Sequence, residues 1–154
     1  MLELNSNTII TVFLYSKWKI TMNVLPITVS AGVFGFPSPA ADYTQLKLSL
    51  DELFVQHPSS TWLAVAEGES MKGIGIFPGS ILVIDRRIAR KTGDVIVANL
   101  NGEFVVKIID LEKRLLLSDN DDYPPVAINE WDVFSIEGVV IGSYKPFKPL
   151  RQMI

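Results

Sequence analysis

The chain has 154 residues, 48% of them apolar, which is enough for a buried core and excludes wholesale disorder. A formal charge of −3 argues against a protein that holds nucleic acid mainly through its own phosphate contacts. With no cysteine and a single histidine, disulfides, a thiol nucleophile and a zinc site built from those residues are excluded.

Residues 1–21 are rich in β-branched and aromatic types and suit a strand or pairing with another chain's edge. Alternatively, Met22 is the natural start and the preceding residues are an extension. The apolar run over 9–15 is far shorter than the roughly 20 residues a membrane helix needs, and it lacks the basic lead-in of a secretory signal. No membrane span and a cytoplasmic location are therefore expected. From 22 to 39 the chain carries Pro26, Pro37, Pro39, Gly32 and Gly35 with hardly any charge. Proline blocks helix and pushes its predecessor toward extended backbone, so this is an extended arm, although an ordinary linker has the same composition.

A compact domain is expected from about Tyr43. Residues 46–50 alternate as a strand, and 49–54 read as a short helical turn with capping character. Buried strands are predicted at 62–66 and 81–84, separated by turns at Gly73, Gly75, Pro78 and Gly79. A turn at 92–94 leads into a strand over 95–100. Asn101-Gly102 marks a type I′ hairpin, and the return strand is 103–109. Further strands are predicted at 114–117, 133–135 and 139–144, with bends at Gly138 and Gly142. Strands at this spacing with little amphipathic helix indicate an all-β, Gly-rich domain.

Few side chains carry chemistry. His57 precedes Pro58 in a loop and reads as a solvated histidine; a Ser-His-Asp triad would have to use it. The acidic run 119–122 lacks the glycine and distal glutamate of a calcium loop and reads as a solvated turn. No metal or cofactor site is expected. Ser70 stands just beyond a glycine break at Gly68, after the apolar run that begins at Trp62. Lys107 lies between Val105-Val106 and Ile108-Ile109, with no adjacent acid to hold its charge. A serine hydroxyl needs a base to become a nucleophile, and a desolvated, neutral lysine amine can serve. Ser70 and Lys107 are thus candidates for a serine–lysine dyad, with backbone amides near Glu69 and Ser70 as an oxyanion hole. Two plainer readings stand beside this one: Ser70 as a turn serine bonded to its own backbone, and Lys107 as a side chain snorkelling off an edge strand.

These residues belong to a wider pattern. The blocks are Gly35-Phe-Pro-Ser-Pro-Ala-Ala-Asp-Tyr43, Gly68-Glu-Ser-Met71, Gly93-Asp-Val-Ile-Val-Ala98, Asn101-Gly-Glu-Phe-Val-Val-Lys107, Asn120 with Tyr123-Pro124-Pro125, and Glu137-Gly-Val-Val140. In this order the chain resembles the LexA/UmuD-like self-cleaving serine peptidases, and its first block resembles the UmuD-like branch. The resemblance implies an all-β domain of the LexA/UmuD C-terminal type behind an extended N-terminal arm. It implies Ser70 as nucleophile, Lys107 as general base and the bond Phe34–Gly35 as the site of cut. The division that follows is an arm over 1–34, an extended linker over 35–45 and a β peptidase domain over 46–154.

The same resemblance implies slow self-cleavage stimulated by a RecA filament on single-stranded DNA, as part of the SOS response to DNA damage. The shortened product would act as a homodimer and as accessory subunit of a Y-family, UmuC-like translesion polymerase, without sequence-specific DNA binding of its own. Two departures stand out. Relatives carry Ala or Cys before the cut glycine, where Phe34 is bulkier, so Ala31–Gly32 is an alternative bond. Ser80 stands where relatives often have an acid and is expected to alter a turn. The front end is too short for the helix-turn-helix domain of a repressor. A signal peptidase shares the Ser–Lys chemistry but would need a membrane anchor. The remaining alternative is a UmuD-like dimeric regulator that does not cleave.

Overall fold

The computed structural model describes residues 22–24 and 46–149, with side chains over 49–149. These residues fall into two compact units, one holding 22–24 and 46–56 and the other 57–149. The smaller unit pairs β1 (Met22–Val24) with β2 (Leu46–Leu48) in an antiparallel ribbon. Helix α1 (Leu50–Phe54) follows. Its start is a reciprocal capping box: the Glu52 amide donates to Ser49 Oγ at 3.1 Å and the Ser49 amide to Glu52 Oε2 at 3.3 Å. Both the strand and the capped turn agree with the pattern of the sequence. Strand β2 pairs with β1 and not with the large sheet.

The larger unit is a seven-stranded antiparallel sheet, which bears out the all-β expectation. Its strands are β3 (Thr61–Val65), β4 (Ile81–Asp85), β5 (Val95–Leu100), β6 (Glu103–Asp110), β7 (Leu115–Leu117), β8 (Val126–Ala127) and β9 (Phe134–Tyr144). The spatial order is β3-β4-β9-β5-β6-β7-β8, so β9 enters the middle of the sheet. Alternation along β5 feeds two separate cores. Val97 packs with Ala66, Met71, Ile76, Leu82 and Ile84, whereas Ile96 and Ala98 pack with Ile109, Leu116, Ile128 and Val139. The hairpin between β5 and β6 has positive φ at both Asn101 (54°) and Gly102 (92°), as the Asn-Gly pair predicts.

Two features differ from the sequence pattern. The dipeptide strand β8 has no alternating run to announce it. Strand β9 is continuous where two strands with bends were expected. The glycines do mark irregularities, but these are register shifts inside the strand. Against β5 the pairing steps from Val97↔Gly138 to Ala98↔Ile136, and against β4 from Val83↔Gly142 to Ile84↔Val140. One extra β9 residue is accommodated each time, which bends the strand without ending it. A Cβ on Gly138 would sit 2.6 Å from Ile84 Cγ2 and 3.1 Å from the Asp85 carbonyl oxygen, so only glycine allows β9 this close to β4.

Candidate functional site

Strand β3 ends at Val65, and the chain turns through Gly68 into Ser70, Met71 and a single 3-10 turn over Lys72–Ile74. Met71 is buried in the first core and ties down this loop, while Ser70 beside it is only partly buried. A second loop, after β7, is hydrogen-bonded along the first. The Asp119 amide donates to the Ser70 carbonyl and the Gly73 amide to the Asp119 carbonyl, both at 2.9 Å. The Asn120 side-chain amide donates to the Glu69 carbonyl at 2.9 Å. The two loops meet so closely that a Cβ on Gly73 would lie 2.5 Å from Asp119 Oδ2. The acidic run is therefore not a merely solvated turn: Asp119 and Asn120 are half-buried and brace the serine loop, whereas Asp121 and Asp122 are exposed.

Lys107 lies midway along β6, which is flanked by β5 on one side and β7 on the other. The β7 pairing begins only at Ile108, so Lys107 is paired on the β5 side alone. The snorkelling reading fails instead because its amine is held by a protein partner and not extended into solvent. The side chain is partly buried, and the loss of solvent pushes its amine below the ordinary lysine range. Its Nζ donates to Ser118 Oγ at 2.8 Å and stands 5.5 Å from the centroid of the Tyr123 ring. The register that pairs Ile108 with Leu117 brings Ser118, one residue further, opposite Lys107.

The structure thus connects both predicted dyad residues to consecutive residues of one loop: Ser118 holds the Lys107 amine and Asp119 holds the Ser70 carbonyl. The hydroxyl in hydrogen-bond contact with the lysine is Ser118's. Among the described residues the Ser70 hydroxyl has no hydrogen-bond partner, so it is not a turn serine bonded to its own backbone. The Glu69 and Ser70 amides likewise donate to no acceptor among the described residues, leaving them able to receive an oxyanion. Phe34, Gly35, Ala31 and Gly32, the residues of the two predicted cleavage bonds, lie outside the described residues.

His57 corrects the expectation of a solvated loop histidine. Its Nδ1 meets Asp85 Oδ2 at 2.6 Å, and the Asp85 carboxylate is fully buried. Ser60 Oγ donates to the other carboxylate oxygen at 3.2 Å, and the Arg87 amide donates to that same oxygen at 2.8 Å. A buried carboxylate needs such donors, and the histidine is one of them. The cluster is not a catalytic triad, because Ser60 bonds the carboxylate and not the imidazole. Ser80, the second departure, does shape a turn: it is fully buried and its Oγ accepts from the Phe77 amide at 3.0 Å.

Neither Ser118 nor the brace formed by Asp119 and Asn120 emerged from the sequence. A serine after Leu115-Leu-Leu117 looks like the start of a turn, and only the pairing of β6 with β7 places it against Lys107. Among the described residues no group of three or more His, Asp or Glu side chains is arranged to hold a metal ion, and no helix is long and apolar enough to cross a membrane.

Known proteins are similar to this chain in sequence. SamA of Salmonella typhimurium is 39% identical over 103 residues, covering 66% of this chain and 74% of that protein. MucA of Escherichia coli is 40% identical over 112 residues, covering 71% of this chain and 76% of that protein. The LexA repressor of Bordetella pertussis is 32% identical over 122 residues, covering 77% of this chain but 55% of that protein. The Peptidase S24-like family matches residues 24–141, a span that contains the serine loop, the lysine strand and the loop that joins them. By that match, and by relatives that include both MucA and a LexA repressor, the chain belongs to the Peptidase S24-like family of serine peptidases with self-cleaving members.

Proposed function

We propose that the protein is a serine endopeptidase that cuts its own arm at Phe34–Gly35, with Ser70 as nucleophile and Lys107 as general base. The observation that carries this reading is the loop over 118–120, which bonds the Lys107 amine on one side and the Ser70 backbone on the other. Three further features support it. The amine is shifted toward the neutral form by desolvation, the Ser70 hydroxyl is uncommitted among the described residues, and the nearby amides face no protein acceptor there. In the reaction the Ser70 proton passes to Lys107 Nζ as Oγ bonds the carbonyl carbon of residue 34. The ammonium then returns the proton to the departing amine of Gly35, and water releases the acyl group from Ser70. Tethering the bond to its catalyst raises its effective concentration, so tight substrate binding is unnecessary.

The relatives give the biological setting of the proposal. SamA, MucA and LexA support a role in the SOS response. Within it the proposal takes a RecA filament on single-stranded DNA as stimulus and a UmuC-like Y-family polymerase as partner of the shortened product. The product acts as a homodimer in the cytoplasm and makes no sequence-specific DNA contact of its own.

Incubation of the purified full chain at alkaline pH, followed by mass spectrometry, tests the proposal. A product beginning at Gly35 is expected, one beginning at Gly32 moves the bond to Ala31–Gly32, and Ser70→Ala stays whole. Wild-type protein that remains whole at high pH and with the filament would refute self-cleavage. A second reading, a UmuD-like regulator that does not cleave, draws on the bond from Lys107 to Ser118. It expects intact protein in damaged cells and unchanged partner binding by Ser70→Ala.

A further inference from the structure

The Lys107 amine is held by a hydroxyl that a two-residue dyad does not require. We infer that Ser118 is a positioning residue for the self-cleavage proposed above, on which this inference rests: it fixes the Lys107 amine so that its lone pair faces Ser70.

A neutral lysine amine carries two N–H groups and one lone pair on a freely rotating Cε–Nζ bond. It acts as a base only when the lone pair, and not an N–H, faces the proton to be taken. Ser118 Oγ receives one N–H at 2.8 Å, and the Tyr123 ring, 5.5 Å from Nζ, borders the amine on another side. Ser118 adjoins Asp119, whose amide holds the Ser70 carbonyl. One short stretch of backbone thereby sets the direction of the base and the place of the nucleophile together. Ser118 accepts an N–H before and after the proton arrives, so it loses no proton itself.

Few other groups perturb this arrangement. On β5 the residue opposite Lys107 is Ile96, and on the loop after β7 the titratable side chain in contact is Tyr123. Asp119 turns its carboxylate onto Gly73, and Glu69, Lys72, Asp121 and Asp122 are exposed. A hydroxyl acceptor favours the ammonium over the amine, so its removal lowers the pH at which Lys107 becomes a base.

The test uses the full chain with Ser118→Ala, Ser118→Thr and Ser118→Cys, and follows self-cleavage from neutral to alkaline pH. Circular dichroism and thermal melting establish that each variant is folded. For Ser118→Ala the alkaline plateau rate falls tenfold or more, on the order of the loss expected for a misaimed catalytic group, and the midpoint of the profile moves to lower pH. Ser118→Thr restores both, and Ser118→Cys, similar in size but a weak acceptor, stays impaired. Ser118→Ala with a wild-type profile overturns the inference. So does a loss that is uniform with pH, leaves the midpoint in place and is not rescued by threonine, since that marks a purely structural role. Wild-type protein that never cleaves refutes the underlying function instead, so the two failures are told apart.

Discussion

At the residue scale the fully buried carboxylate of Asp85 shows how this sheet tolerates charge. Burial alone would raise its carboxyl, but hydrogen bonds from His57, the Arg87 amide and Ser60, with the histidine's charge, together hold it below the usual carboxylate range. A carboxyl depressed in the folded state adds stability above its unfolded value and loses it as pH falls through the folded value. Urea midpoints measured from neutral pH downward should therefore decline in the acid range, and more shallowly in Asp85→Asn. His57→Ala leaves the carboxylate one donor short and should cost about 2 kcal/mol at neutral pH in the same measurement. The proposed dyad has the opposite dependence. Lys107 must be neutral to accept a proton, so self-cleavage should accelerate as pH rises, from a lower starting point than an ordinary lysine would allow. Lys107→Ala should abolish cleavage by gel assay while its circular dichroism stays that of the wild type. Ser70 and Lys107 stand out as candidates in the sequence because each breaks a local pattern, one a glycine break and the other a charge inside an apolar strand. Ser118 and His57 break none; their roles come from partners 11 and 28 residues away.

At the scale of elements, the strands with clean alternation and the Asn-Gly hairpin could be read directly from the chain. Strand β9 could not, because glycine reads as a bend in sequence, whereas here it lets one long strand shift register and continue. The close approach of Gly138 to Ile84 makes this testable. Gly138→Ala should destabilise the protein by about 1–3 kcal/mol in a denaturant titration, the usual cost of overpacking. Gly73 differs in what it governs. Its missing Cβ lets the serine loop lie against Asp119, so Gly73→Ala should slow self-cleavage more than it lowers the melting temperature.

For the whole molecule, the order of strands has a consequence for how activity arises during synthesis. Strands β3 and β4 carry the serine loop, β5 to β8 carry the lysine and its brace, and β9 alone joins the two groups within the sheet. A ribosome releases Ser70 and Lys107 long before it releases residues 134–144, and until then each group of strands is a fragment with an open edge. The last strand to emerge is the one that completes the sheet. Non-local closure of this kind is slow, so the proposed dyad is not assembled until β9 has joined the sheet. If the chain cuts itself as proposed, cleavage then begins only in finished molecules, and the strand order acts as a timer.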